Sequence, residues 1–552
     1  MKKKILYWDT TLDPIDYPNK IRKKFFNLSL RNRKRFVNWL GKISYKYHNQ
    51  LNWWIKLPSS RDPNKSNLFK NIIILKILHE IKSKDENLIL KVDTKEFRNT
   101  IYRNVSPKKI RKIEIDKKKN HRGLFFLIKN IIYILFIYSL VNFLTKKKEI
   151  NHLDKVTLID TFIDHRQGND DVIYPNLQKF IMRKYSKNIF FVPTFIINRN
   201  LLNTFEKIRV FSKKNYIFKE NYLSLSDITQ SLFEILFKKS FNENFKKYDR
   251  IDCSPILKQE LNSKKDFYSE LISKLNFLFI KKLKKENLNI KKSINRFENQ
   301  SVDRAWNLGF RTFFPKAEIL GYQGNLYYPQ QPHQTPTFYE ERAKVIPNKI
   351  IVTSKYFRKP RQEFYKNLKV IVGPSIEKQD IFKKTKINHN YKYVLALSGI
   401  YSLDKKLLDW TIYALKKNKK LKVILKPHPI LPIEKIIDIK NDIFTGQLKV
   451  SNENIKKVLE KTQILISSGP TGIVLESLVY GCKLFYLFID PSDVLLLKNI
   501  PVSKSMYELI NGEKELLDKM NKSYFKKIRK KSNNLKELLY TRTNTKNVKL
   551  FL

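Results

Sequence analysis

The sequence predicts an α/β protein of two Rossmann-like, doubly wound domains, with a helical insertion suited to a membrane surface. Three observations predict it. Short apolar runs of strand length alternate with helical patterns from Lys4 onward, most regularly after residue 345. Those runs end in loops of Gly, Pro, Ser and His, where a parallel sheet opens its ligand crevice. The 552 residues, 42% of them apolar, are enough for more than one core.

Composition narrows the functional classes. Lys and Arg number 110 against 51 Asp and Glu, a formal charge of +59. Such a field suits nucleic acid, or an anionic membrane with phosphorylated substrates, although solvated lysine-rich faces would give the same count. Only Cys253 and Cys482 are present, far apart, with no CxxC and no His/Cys cluster of metal-ligand spacing. A disulfide framework and a structural zinc site are therefore not expected. The start, MKKKILYWDTTLDP, is basic but has no apolar stretch of signal-peptide length, which points to a cytoplasmic protein.

The first domain is placed at residues 1–344. Lys4 to Trp8 reads as its first strand, followed by a loop with Asp13, Pro14 and Pro18. From Ile21 to Leu57 the pattern is helical and aromatic. It ends in the loop Pro58-Ser59-Ser60-Arg61-Asp62-Pro63, which is either a plain surface turn or a rigid polar loop able to hold an anion or an acceptor sugar. An apolar run from Asn71 to Ile81 and a second strand, Leu88 to Val92, complete a parallel βαβ unit.

Residues 124–144 hold 17 apolar or aromatic positions in 21, with lysines at both ends. The length could cross a bilayer. Equal basic flanks give no orientation, and a crossing would put Val92 and Val156, candidates for one sheet, on opposite sides. The expectation is a helix that dips into the cytoplasmic leaflet or docks against it, with its lysines on anionic headgroups, ahead of a buried helix or a true span. A strand from Lys155 then runs into the polar loop Asp164-His165-Arg166, where Asp164 and His165 are candidate acid/base groups or else solvated charges and helix caps. Ile189 to Val192 is another strand, and residues 200–300 read as outer helices. After Glu318 a strand meets the loop Gly321-Tyr322-Gln323-Gly324, and His333, between Pro332 and Pro336, is a second candidate base.

The second domain is placed at residues 345–530, with a C-terminal tail at 531–552. Six strand candidates begin at Ile350, Val370, Tyr393, Val423, Gln463 and Cys482. Two strand ends carry the ligand motifs. One is Lys426-Pro427-His428-Pro429, offering a cation and an imidazole. The other is Ser467-Ser468-Gly469-Pro470-Thr471-Gly472 with Glu476 beyond it, offering hydroxyls, amide groups and a helix start. Together they are suited to an anion such as phosphate. Singly, each could be no more than a helix cap or a turn.

This pairing resembles the donor half of bacterial GT-B transferases that build surface polysaccharides: sialyltransferases, capsule transferases and polyol-phosphate polymerases. The chain as a whole is similar to surface carbohydrate (capsule or O-antigen) biosynthesis proteins. The resemblance implies that Lys426, His428, Ser467, Ser468, Gly469, Thr471, Gly472 and Glu476 bind a nucleotide-activated sugar, with a cytidine nucleotide in the sialyltransferase-like case. It implies a base from the first domain, Asp164 or else His333. Polyol-phosphate relatives carry a base histidine in a His-Gly element. Gln323-Gly324 stands here instead, which points away from that subclass unless His333 substitutes.

The expected function is a glycosyltransferase acting at the cytoplasmic face of the membrane. It would move a sugar to a surface polysaccharide or lipid-linked glycan, with no metal and no cofactor; Asp170-Asp171 is the one hint of a metal motif. A GT-B nucleotide-sugar epimerase is the enzymatic alternative, distinguished by turnover without acceptor. A nucleic-acid-binding protein is the non-catalytic one. It lacks an RNP motif, zinc finger or helix-turn-helix, so nucleic acid is not an expected partner.

Overall fold

The computed structural model describes residues 5–81, 87–106, 110–116, 123–150, 153–163, 174, 177, 188–197, 200–237, 241, 244–324, 328–329, 331–383, 388, 390–437, 446–469, 471–489, 497, 500–522 and 529–551. Three all-parallel sheets organise them.

The N-terminal unit is a three-stranded sheet, β1 (Ile5–Asp9), β2 (Asn87–Val92) and β3 (Ile110–Ile115), paired in that order. Its helices are α1 (Asn19–Tyr45), α2 (Leu68–Glu80) and α3 (Lys95–Asn104). In α2 the run Ile72, Ile73, Ile74 and Leu75 is wholly buried. A helix apolar all round is a core helix. Helix α3 starts cleanly because the Thr94 hydroxyl accepts the Phe97 amide.

The middle sheet runs β5 (Ile189–Phe195), β4 (Val156–Ile163), β6 (Ile290–Arg296), β7 (Glu318–Gln323), β8 (Lys349–Val352) and β9 (Val370–Val372). In chain order that is 2-1-3-4-5-6. Around it pack α4 (Gly123–Leu144), α5 (Leu201–Ser212), α6 (Leu225–Phe237), α7 (Phe267–Lys285) and α8 (Ser301–Phe313). Helix α4 contributes Ile134 to the core on one face of the sheet and Tyr133, Ile137 and Val141 to the core on the other. It therefore bridges the two cores beyond β5, whose own edge is paired by the backbone of Asn215 and Ile217.

The C-terminal sheet runs β12 (Leu448–Val450), β11 (Val423–Lys426), β10 (Tyr391–Ala396), β13 (Thr462–Ser467), β14 (Lys483–Leu487) and β15 (Tyr507–Ile510). This is 3-2-1-4-5-6, the dinucleotide-fold order, whose topological switch point lies between β10 and β13. Helix α9 (Tyr401–Lys417) follows β10 and α10 (Ile473–Val479) follows β13. Beyond α11 (Arg529–Leu539) the chain returns to the middle sheet. There the Thr541 carbonyl accepts the Ser375 amide, and Phe551 sits against Tyr322.

The two doubly wound, Rossmann-like sheets agree with the expected class. Three details differ. The N-terminal strands form their own small sheet, so Val92 and Val156 belong to different sheets. The middle sheet extends through β9, which moves the change of domain from residue 345 to the segment after Val372. The C-terminal six strands accordingly lose the candidates at Ile350 and Val370 and gain β12 and β15.

Candidate functional site

A cavity of about 420 Å³ lies where the carboxyl ends of the middle and C-terminal sheets meet. The loop after β6 brings Glu298 and Gln300, that after β7 brings Gly324, His333 and Gln334, and that after β9 brings Glu377 and Lys378. From the opposite sheet the segment after β13 brings Gly472 and Glu476. The N-terminal unit adds Asp62. Ligands of open parallel sheets bind at such strand ends.

His333 is held from below. Its carbonyl accepts the Asn299 amide at 2.8 Å, and Gln323 reaches the next carbonyl, that of Gln334, at 2.9 Å. Gln323 thus acts as the strut under the turn that carries the histidine. The ring is 3% exposed, with Nδ1 3.9 Å from Asp62 Oδ1. Burial pushes the imidazole down to about 4, and the carboxylates of Asp62 and Glu298 only partly resist this. His333 is therefore neutral at physiological pH, the form that accepts a proton. Asp62 is itself oriented, accepting the Gln300 side-chain amide at 2.9 Å and the Asn64 backbone amide at 3.0 Å.

A buried ion cluster fastens these pieces together. Arg61 NH2 lies 2.8 Å from both oxygens of Glu340, and Arg304 NH2 lies 2.5 Å from Glu340 Oε1. Asn299 adds a bond at 3.0 Å. Burial alone would raise the Glu340 carboxyl, but the two guanidiniums outweigh it and hold it below its ordinary value. Arg61 belongs to the N-terminal unit and Glu340 to the middle domain, so the cluster fixes Asp62 beside His333. Asp62 and the cluster escape sequence reasoning because Arg61 and Glu340 stand 279 positions apart. The one available signal is the polar loop around residue 60.

In the C-terminal sheet, β11 and β13 flank β10, so the two motif-bearing tips are separated by the β10 tip, not adjacent. His428 packs against that tip. Gly399 adopts φ +83°, and a Cβ there would stand 2.6 Å from His428 Nδ1. The Ser398 and Gly399 amides both donate to the Asp404 carboxylate, at 2.6 and 2.8 Å, so a protein anion fills that turn. Lys426 is half-buried, with Nζ 3.4 Å from the Ser451 carbonyl.

The serines form no hydroxyl cradle, a correction to the sequence expectation. Ser467 and Ser468 are fully buried and donate to the carbonyls of Ala396, at 3.0 Å, and Leu487, at 2.6 Å. They stitch the tip of β13 to its neighbours. The Gly469 and Thr471 amides are also used locally, on the Tyr486 hydroxyl and the Gly469 carbonyl. The following helix, α10, has only seven residues, which leaves little dipole to offer. Thr471 and Gly472 are half-buried, Gly472 lines the cavity, and Glu476 pairs with Lys378 at 2.7 Å. Asp164, His165 and Asp170-Asp171 lie outside the described residues.

A second cavity of about 270 Å³ shares Asn64 and Gln331 with the first. It is lined by side chains of the N-terminal unit, many of them apolar, and by Ile400, Leu403, Gly469 and Ile489 beyond the tips of β10, β13 and β14. Together the two make one cleft between the lobes. Among the described residues no group of three metal-ligating side chains converges.

No protein-family model and no curated protein matches the sequence. Solved structures similar to it include a glycosyltransferase from Rickettsia africae, at 14% identity and TM-score 0.41, covering 72% of this chain and 98% of that one. MurG of Acinetobacter baumannii is similar at 10% identity and TM-score 0.40, over 72% and 99% of the two chains. UGT89C1 of Arabidopsis thaliana, solved with UDP, is similar at 12% identity and TM-score 0.43, again over 72% and 99%.

Proposed function

We propose that the protein is a glycosyltransferase that moves a sugar from a nucleotide-activated donor to a surface polysaccharide or lipid-linked glycan. One observation carries the reading. A polar cavity at the carboxyl ends of two facing parallel sheets contains a buried, neutral histidine with a carboxylate 3.9 Å from its ring.

The cavity is acidic: Asp62, Glu298, Glu377 and Glu476 line it, with Lys378 as a cation, and Lys426 and His428 stand outside its lining. Carboxylates accept hydrogen bonds from sugar hydroxyls and repel phosphates, so the cavity suits the reacting sugars. A leaving nucleotide phosphate belongs toward Lys426 and His428 on the C-terminal sheet, where charge-assisted bonds stabilise it. His333 then accepts the proton of the acceptor hydroxyl as that oxygen attacks the sugar. Asp62 stabilises the imidazolium that forms, and the nucleotide leaves with the electron pair of the broken bond.

Replacing His333 by Gln removes the base while keeping the ring's approximate volume. Transfer should fall about 10²–10⁴-fold, the usual worth of a general base, with nucleotide affinity retained. Transfer at the wild-type rate in His333→Gln would remove His333 from the reaction. Turnover of a nucleotide sugar without acceptor would replace transfer by epimerisation.

A further inference from the structure

The surface of the middle domain opposite its packed interior carries an unusual load of apolar side chains. Of the twenty large apolar side chains exposed among the described residues, six belong to α4, three to α5 and three to α6. The outward positions of α4 follow helical spacing: Phe125, Ile128, Ile132, Phe136 and Phe143. Phe125 and Phe143 are 76% and 85% exposed. On α6, Phe233 and Phe237 are 63% and 68% exposed, with ring centroids 5.1 Å apart. Monomers rarely expose so much apolar surface in one region without a partner.

Helix α4 adjoins α5 directly and reaches α6 through α7, and α5 and α6 feed the cores on opposite faces of the middle sheet. The Tyr138 hydroxyl of α4 donates to the Leu223 carbonyl just ahead of α6. Although α4 is apolar enough to cross a bilayer, its other face is committed to the protein. Ile134, Ile137 and Val141 are buried, and the Tyr133 hydroxyl and Asn142 amide bond to the carbonyls of Ile196 and Glu220. The helix therefore lies on the domain and presents one stripe outward.

We propose that the outward stripe of α4, with the exposed apolar side chains of the adjoining α5, seats the protein on an anionic phospholipid bilayer. Charge selects the occupant. On α4, α5 and the turns that follow them, Lys129, Lys146, Arg209 and Lys213 are exposed and Lys147 is paired with Glu286, against Glu149 and Glu206. A cationic rim around an apolar stripe fits anionic headgroups above acyl chains. A second copy of this chain fits less well, because two bodies of formal charge +59 would be brought face to face. The seating is independent of the proposed transfer chemistry and survives if that chemistry is wrong.

The test is co-flotation of the full chain with vesicles of phosphatidylcholine alone or of phosphatidylcholine with phosphatidylglycerol. The wild type should float with the anionic vesicles, and binding should weaken as salt rises. The triple variant Phe125→Ser, Ile132→Ser, Phe143→Ser should bind about 100-fold more weakly, from the lost apolar insertion. Its melting temperature should be unchanged, since these side chains point outward. Lys129→Gln with Lys146→Gln should lower the affinity and flatten its salt dependence. The proposal is overturned if the wild type stays with the soluble fraction, or if the triple variant floats like wild type. A wild-type dimer that the triple variant dissolves, with no vesicle binding, overturns it as well.

Discussion

His333 is the residue on which the proposed chemistry turns, and its protonation is open to direct measurement. With its imidazole pushed to about 4 by burial, the ring should stay neutral while an ordinary histidine titrates near 6.5. Carbon-detected NMR of the eight histidines should show one that remains neutral at pH 5. A His333 midpoint near 6.5 would mean that solvent reaches the ring. Asp62 raises the His333 value, so Asp62→Asn should lower it further. The sign for stability follows from linkage. A histidine depressed on folding contributes fully above its unfolded value and is lost as pH falls through about 6.5 toward 4. His333→Gln should therefore soften acid unfolding in that window.

Glu340 makes a sharper stability test at the same scale. Its carboxylate balances Arg61 and Arg304, which are 5% and 0% exposed. Glu340→Gln leaves two buried guanidiniums against a neutral amide. Removing one partner of a buried ionic cluster costs about 3–5 kcal/mol, readable in urea unfolding. A change under about 1 kcal/mol would show that water already compensates the charges.

At the scale of elements, the apolar runs with Gly or Pro at their ends were legible as strands, and β1, β2, β4, β5, β7, β10, β11, β13 and β14 lie where those runs predict. Strand β6 was not legible. It sits between β4 and β7, yet reads Ile290-Lys-Lys-Ser-Ile-Asn-Arg296. Its buried Ser293 accepts the Trp306 indole N–H at 2.9 Å, so a partner from α8 stands in for apolar character. No periodicity rule reports a partner from another element. The serines after β13 show the converse. Their types suited an anion, but their hydroxyls are turned inward to carbonyls. Ser468→Ala should consequently act as a stability mutation of about 1–3 kcal/mol, visible in thermal melts, with nucleotide affinity changing only as far as the β13 tip moves.

At the scale of the molecule, two sheets of different strand order face each other, and the chain crosses between them twice, after β9 and after α11. The second crossing ends in a clasp. Val548 and Phe551 are fully buried in the middle domain, and the Leu550 carbonyl accepts Lys292 Nζ at 3.1 Å. Phe551→Ala should cost about 3–5 kcal/mol, as for other large-to-small core changes, measured by urea unfolding of the full chain. A change below about 1 kcal/mol would mean that the clasp is loose. The sequence marked this segment only as a tail, because its partners, Tyr174 and Tyr322, lie far upstream.

Calorimetric titration of the full chain with cytidine, uridine and guanosine nucleotides tests the shared cleft most directly. One nucleotide should bind wild type and His333→Gln alike, and bind Lys426→Ala with His428→Ala at least about ten-fold more weakly, as expected for lost charge-assisted bonds. If no nucleotide binds, or if the Lys426 and His428 double variant binds it as tightly as wild type, the C-terminal strand tips do not hold a donor and the transferase reading fails.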